Sequence, residues 1–191
     1  KGYLDAKTSF VINKKRHKVK VTYTLNKGLA YKINEVNINS DLNGHYTEIL
    51  KSITSKIIKG RSYKLNYLKQ LRSNIASKLQ NDGYYQFNKE FIYFIADTNY
   101  QKKEINLELG IKPIEKFQNE KVIKYDHKIG FIERINVHLD IIKSESINDT
   151  TSINGINFIY SKSNNSFHLK RLANKILISP GILFRKNLVD K

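Results

Sequence analysis

The chain contains no cysteine, which removes disulfide scaffolds, thiolate-held zinc, iron–sulfur clusters and thiol nucleophiles from consideration. Methionine and tryptophan are absent too, and only two prolines occur in 191 residues. With no initiator methionine and a start at Lys1-Gly2-Tyr3, the sequence reads as a segment of something longer. No run of about 18 apolar residues exists, so no membrane-spanning helix is expected. The basic, apolar and cleavage segments of a secretory leader are missing as well. Acid is scarce: 17 Asp and Glu stand against 34 Lys and Arg, which leaves +17 and an isoelectric point near 9.8. That balance points first to an anionic partner, nucleic acid or an acidic lipid surface. Apolar residues make up 40% of the chain and charged residues 27%, enough for a folded core. The length suits one domain or two small ones.

No catalytic constellation can be read. The histidines His17, His45, His127, His138 and His168 include no i, i+4 pair and no HExxH spacing, so surface or strand positions explain them better than ligation or base catalysis. The acidic residues form no cluster with metal-ligand spacing, and Asp82-Gly83 reads as a helix exit. The glycines form neither a dinucleotide fingerprint nor a P-loop, and no serine lies in a nucleophile elbow. Asn148-Asp149-Thr150 and Asn164-Asn165-Ser166 match the glycosylation sequon, a match frequent by chance in an Asn-rich chain. No cofactor, no metal and no enzymatic activity are expected.

The patterning alternates between strand and helix periods. Leu4, Ala6, Phe10 and Ile12 share one parity, and after the basic turn 13–16 the stretch His17 to Leu25 alternates cleanly. Val19, Val21, Tyr23 and Leu25 face one way and Lys18, Lys20, Thr22 and Thr24 the other, the pattern of a strand with one face on a core. Residues 31–39 form a third strand, whose spacing slips by one between Ile33 and Val36, as a bulge would. Residues 41–45 are a loop. From Tyr46 the period is helical, with Ile49, Leu50, Ile53, Ile57 and Ile58 on one face and Gly60 as the C′ stop. Asn66 is placed as the N-cap of a second helix with the stripe Leu68, Leu71, Ile75 and Leu79, ended by Gly83. Residues 84–96 return to strand, and 104–109 alternate Ile105, Leu107 and Leu109 against Glu104, Asn106 and Glu108. Residues 31–110 thus spell strand–helix–helix–strand–strand, an α+β unit with a three-stranded sheet and two helices on one face.

The order then restarts. The segment 135–140 echoes 36–41, Leu172 to Leu177 echoes Ile53 to Ile58, and Gly181-Ile182-Leu183-Phe184 echoes Gly60-Arg61-Ser62-Tyr63. Gly2-Tyr3 likewise matches Gly83-Tyr84. The chain is read as a tandem array: the tail of one unit over 1–28, a whole unit over 30–112, and the front of another over 128–191. A polar insertion near 143–154 interrupts the last, and its second helix is expected to begin near the end of the chain.

Two features admit two readings each. The aromatic strand 85–95 carries Phe87, Phe91, Tyr93 and Ile95 on one parity and Ile92 and Phe94 on the other. It is either ordinary core burial plus two half-exposed residues, or a sticky sheet edge kept open for an extended chain. The Lys residues spread over turns and polar faces, which suits a solvated surface. Aromatics beside basic strands would instead suit single-stranded nucleic acid, though no RNP-type or GXXG signature accompanies them.

The ordered set Gly60-Arg61-Ser62-Tyr63, Leu68-x-x-Leu71-Arg72-x-x-Ile75-x-x-x-Leu79 and Asp82-Gly83-Tyr84-Tyr85-x-Phe87 resembles a POTRA (polypeptide-transport-associated) repeat. So does the join Leu25-x-x-Gly28-x-x-Tyr31-x-Ile33-x-x-Val36-x-Ile38. These repeats form the periplasmic arm of outer-membrane β-barrel assembly proteins of the BamA/TamA type. The wording Gly83 to Phe87 followed by Ala96-Asp97-Thr98 is similar to versions from Bacteroidetes. The resemblance implies tandem β-α-α-β-β units, each with a three-stranded mixed sheet, the second strand at its edge and the third in its centre. It implies a non-enzymatic role in outer-membrane protein transport. The partners would be unfolded outer-membrane proteins and assembly subunits, with the protein's own barrel outside these residues and an anionic membrane surface as a further candidate. Clients would add a strand along Tyr85, Phe87, Lys89, Phe91, Ile92, Tyr93, Phe94 and Ile95. No nucleic acid is expected on this reading; the alternative is a basic α+β nucleic-acid-binding module.

Overall fold

The computed structural model describes residues 2–39, 45–139, 148–161 and 168–190. The expected loop before residue 45, the first part of the insertion and the sequon at Asn164 lie outside them. The chain forms two compact α+β units. One comprises Lys1–Ala76 with Lys89–Lys112, the other Ser77–Asn88 with Pro113–Lys191.

The first unit opens with an antiparallel hairpin of β1 (Lys7–Lys15) and β2 (Lys18–Asn26). Phe10 lies opposite Tyr23 and Ile12 opposite Val21, so the expected apolar parity is real. Every residue of both strands is exposed among the described residues. A two-stranded ribbon has no second layer of its own, and alternation records a face without recording what covers it.

Next come β3 (Lys32–Ile38), α1 (His45–Thr54), α2 (Leu65–Asn81), β4 (Ile92–Asn99) and β5 (Glu104–Ile111). The sheet order is β3-β5-β4, with β3 parallel and β4 antiparallel to the central β5. The register slips between Ile33 and Glu35, where the spacing placed a bulge. Tyr31, Ile33, Leu68, Ile105 and Leu107 form a core, on which Val36, Tyr63, Tyr67 and Phe94 pack. The stripe Leu68, Leu71, Ile75 and Leu79 is buried throughout.

Both helix ends shift from their expected places. α1 stops at Thr54, so Gly60 is not its stop, and Ile58 is exposed rather than on the buried face. The hydroxyls of Ser52, Thr54 and Ser55 donate to the carbonyls of Ile49, Leu50 and Ser52, a local competition that Ser and Thr bring to helix interiors. α2 begins at Leu65, and the Lys64 carbonyl accepts from the Tyr67 and Leu68 amides at 3.0 and 3.3 Å. Asn66 is therefore inside the helix, not capping it. The other end is as expected: the Tyr84 amide reaches back to the Leu79 carbonyl at 3.0 Å across Gly83 at φ 101°, a Schellman closure.

A polar clamp ties the segment before β1 to the sheet. The Asp5 carboxylate accepts from Lys103 Nζ at 2.7 Å and from the buried Tyr31 hydroxyl at 3.2 Å. The Lys103 hydrogen bond holds the Asp5 carboxyl below the usual carboxylate range. The same bond raises the Lys103 ammonium, and burial raises the Tyr31 phenol.

The second unit contains β6 (Ile114–Gln118), β7 (Lys121–Tyr125), β8 (Ile135–Leu139), β9 (Asn148–Ile153), β10 (Ile156–Ser161), α3 (Leu169–Ala173) and α4 (Lys186–Val189). Residues 113–127, between the 30–112 and 128–191 units of the repeat map, carry the β6–β7 hairpin, turned at Asn119-Glu120 with φ 50° and 59°. The polar insertion ends in the β9–β10 hairpin, turned at Asn154-Gly155 with φ 53° and 76°. Positive φ at both central residues is the turn whose twist matches paired strands. β10 lies between β8, to which it is parallel, and the antiparallel β9, so the sheet has the strand order and directions of β3-β5-β4. Ile156, Phe158 and Ala173 form its core.

The echoes in sequence coincide with echoes in backbone bonding. In the first unit Tyr31 N–H donates to Gly2 O, Tyr63 N–H to Tyr31 O, Ile33 N–H to Arg61 O and Gly60 N–H to Ile33 O, each at 2.8 Å. In the second, Gly130 N–H donates to Gly83 O, Phe184 N–H to Gly130 O, Ile132 N–H to Ile182 O and Gly181 N–H to Ile132 O, at 2.7–2.9 Å. The helix exits match too: Ser55, Lys56 and Ile57 donate to Lys51, Ile53 and Thr54, as Asn174, Lys175 and Ile176 do to Lys170, Leu172 and Ala173. α4 begins two residues beyond Phe184 and α2 two residues beyond Tyr63, in line with the second helix expected there.

Gly83 is the position of this bonding pattern most sensitive to substitution, because it is buried and an added Cβ would stand 2.6 Å from Leu183 Cδ1. Gly83→Ala should lower the unfolding free energy by about 1–3 kcal/mol, measured by urea denaturation. The clamp gives a pH signature. A depressed Asp5 pKa stabilises the fold above the unfolded value of about 3.9, and this is lost as pH falls through the lower folded value. Raised Lys103 and Tyr31 values stabilise below about pH 10, and this is lost as pH rises through the folded values. The melting-temperature gap between wild type and Asp5→Asn should therefore be widest near about pH 6 and close toward about pH 3.

Candidate strand-addition edge

β4 is the margin of the first unit's sheet and β5 its centre, as the resemblance implied. The bonding pattern sets which way its backbone points. Leu109 and Lys103 direct their carbonyls to β3, accepting from Asn39 and Lys32 at 2.9 Å, while Lys112 N–H donates to Phe91 O at 2.7 Å. Odd-numbered residues around β5 therefore bond β3 and even-numbered ones bond the β4 side. With Tyr93 opposite Gly110 and Ile95 opposite Glu108, these two, Asp97 and Asn99 exchange bonds with β5. Ile92, Phe94, Ala96 and Thr98 turn their N–H and C=O groups outward. Among the described residues no strand pairs with that edge.

The side chains correct the expected parity. Ile92 is 1% exposed and Phe94 packs on the core, so both face the helices, whereas Ile95 is 53% exposed. Tyr93 lies over Gly110, where any Cβ would collide with its ring. The parity inverted because 84–91 is not strand. Tyr85 N–H closes on Gly83 O and Phe87 N–H on Tyr84 O, both at 2.9 Å, and Lys89–Phe91 is a 3-10 turn. Arg72 holds that turn, donating to Lys89 O at 2.9 Å and pairing with Glu90 at 3.0 Å.

The candidate residues therefore separate. Ile92, Tyr93, Phe94 and Ile95 lie on the edge strand; Lys89 and Phe91 precede it in the turn. Tyr85 and Phe87 belong to the second unit, at a cleft of about 620 Å³ lined also by Tyr84, Tyr125 and Phe131. There Phe87 meets the buried His127 ring at 4.7 Å and Tyr85 meets Phe184 at 5.9 Å. This aromatic cleft was not anticipated. The echo of Tyr63 by Phe184 was the signal that could have located one wall of it. Ala96 and Thr98 were also missed, because outward amides leave no mark on residue type.

The open side of the sheet carries acid. Glu35, Glu104, Glu108 and Asp97 share the parity of Tyr93 and Ile95 by register. Among the described residues no group of three or more His, Asp or Glu is placed to hold a metal ion.

No known family description matches the chain, and no curated protein matches it. Among solved structures it is similar to one described as the crystal structure of Haemophilus influenzae BamA POTRA3-5, at 16% identity and a TM-score of 0.48. The match covers 99% of this chain and 59% of that one, so the chain spans less than two thirds of its neighbour.

Hydrogen exchange resolves the edge residue by residue. The amides of Phe94, Ala96 and Thr98 should exchange fast, and those of Tyr93, Ile95 and Asp97 slowly. Equal protection across 93–98 would mean that the edge is closed.

Proposed function

We propose that the chain is part of an arm of POTRA-type repeats of an outer-membrane β-barrel assembly factor of the BamA/TamA kind, working in the periplasm. In this reading 1–28 is the tail of one repeat, 30–112 a complete repeat and 128–191 the front of another. It binds unfolded outer-membrane proteins or assembly subunits by adding their extended chain to β4. The observation that carries the reading is the unpaired β4 edge, four outward backbone positions without a proline. Backbone pairing supplies affinity with little demand on client sequence. The backbone seam used twice supports the tandem-repeat assignment. Acid on the open face of the sheet favours a protein client over single-stranded nucleic acid, which needs cations beside its stacking residues.

The outward amides choose the test. A proline at Ile92 would disturb a buried side chain, whereas Ala96 is exposed and points its N–H away from β5. Ala96→Pro removes one donor from the edge and leaves the ladder to β5 intact. With the fold verified by circular dichroism, affinity for an extended outer-membrane client peptide should fall about tenfold, the loss of roughly one docking hydrogen bond plus the steric block. Ala96→Ser should bind as wild type. A folded Ala96→Pro chain with undiminished binding excludes β4 as the site.

A further inference from the structure

The chain carries +17 overall, but the sheet face beside the β4 edge carries the opposite sign. Register places Asp97 of β4, Glu104 and Glu108 of β5 and Glu35 of β3 on that face. Asp97 lies opposite Asn106, so Glu104 and Glu108 are its diagonal neighbours, about 7–8 Å away. Among the described residues none of these carboxylates forms an ion pair. Glu35 and Glu108 accept from the side-chain amides of Asn37 and Asn39, and Lys32 stands opposite Glu104 on the far strand. Toward the start of β4 the same face turns apolar. Ile95 is exposed there, and the Tyr93 ring leans inward over Gly110 of β5.

We propose that β4 selects its client by charge and direction. It takes an antiparallel strand that reads, from its own N-terminus, cation–x–apolar–x–apolar, with the cation against Asp97. The inference rests on the strand-addition reading and names the kind of chain that site admits. An antiparallel strand sets each residue directly opposite one of β4, with both side chains on the same face, and this pairing is the more stable per residue. The outward backbone groups belong to Phe94, Ala96 and Thr98. Client residues opposite Tyr93, Ile95 and Asp97 therefore fall in non-hydrogen-bonded pairs, the closer kind, with Cα atoms about 4.5 Å apart. At these alternate positions the client meets an aromatic ring, an aliphatic chain and a carboxylate in turn. The positions between lie opposite Phe94 and Ala96 and carry no charge requirement. A cation in the third place is attracted by Asp97 directly and by Glu104 and Glu108 behind it, whereas an acidic residue is repelled by all three. Reversing the client sequence would set the cation against Tyr93 and leave Asp97 facing an apolar side chain. The sign of the preference separates local selection from bulk attraction. Net charge alone would favour an acidic client, and only these carboxylates favour a basic one.

Labelled peptides built around Lys-Thr-Val-Thr-Tyr, with Gln or Glu in place of Lys, measure the selection by fluorescence anisotropy. At low salt the wild-type chain should bind the Lys peptide about threefold tighter than the Gln peptide and about tenfold tighter than the Glu peptide. Both ratios should shrink at high salt. The reversed peptide Tyr-Thr-Val-Thr-Lys should bind no better than the Gln peptide. Asp97→Lys, at an exposed position, should invert the order so that the Glu peptide binds best. Glu133→Lys, an equal change of charge at an exposed position of the second unit, should leave the order as it is. Ala96→Pro should weaken all three peptides. Charge selection is overturned if the wild type binds the three equally or prefers Glu, if Asp97→Lys keeps the Lys preference, or if the reversed peptide matches the Lys peptide. In each of these cases strand addition still stands where Ala96→Pro weakens binding. Should Ala96→Pro weaken none of the peptides, both readings fall together.

Discussion

The start of β3 is bonded along both of its margins, and the rest of the first unit is arranged around that fact. On one side Lys32 donates to the Lys103 carbonyl; on the other, Ile33 and Tyr31 pair with Gly60, Arg61 and Tyr63. A chain leaving β3 must therefore return after α1 to lie antiparallel beside the place it left, before it can enter α2. That return brings α2 over the sheet with Leu68 against Tyr31, Ile33, Ile105 and Leu107. The second unit closes the same loop with different side chains, Phe184 for Tyr63 and Gly130 for Tyr31. The conserved quantity between the two is a backbone pattern, which tolerates substitution as long as the glycine turns remain.

This constraint also decides which sheet margin is left for a partner. Gly60 to Tyr63 cover the first half of the β3 margin, whereas β4 keeps its outward groups. Natural sheets usually protect such an edge with charge, proline or a bulge. β4 has none of these between Ile92 and Ala96; Asp97 is the first charge along it. The interior of the strand is anchored by Ile92 and Phe94 in the core, so an added strand would meet a rigid template rather than a flexible one.

The two units reach one sheet topology by different chain orders. In the first, β4 and β5 follow both helices; in the second, β9 and β10 come between β8 and α3. β10 and β9 follow β8 in that sheet and are joined by the Asn154-Gly155 turn. Ile156 and Phe158 of β10 supply the buried face of that sheet, and burial rewards the face and not the route.

Much of this was legible in the residues. The bulge after Ile33, the stripe Leu68 to Leu79, the Gly83 stop, the clean alternation of β5 and the repeated order are all local patterns, set by periods of 3.6 and 2 and by positive-φ glycines. The Asn154-Gly155 hairpin was equally visible and passed for a polar insertion. Parity beyond Phe87 was not legible, because one 3-10 turn at Lys89 to Phe91 reverses every side chain after it, and a slip of one residue exchanges the two faces of a strand. Which amides of β4 point outward depends on which residues of β5 already serve β3, and the Asp5 clamp depends on a lysine 98 residues away. Only the folded chain brings those partners together, because backbone direction and long-range ion pairs arise from pairing between segments and leave no period in either one alone.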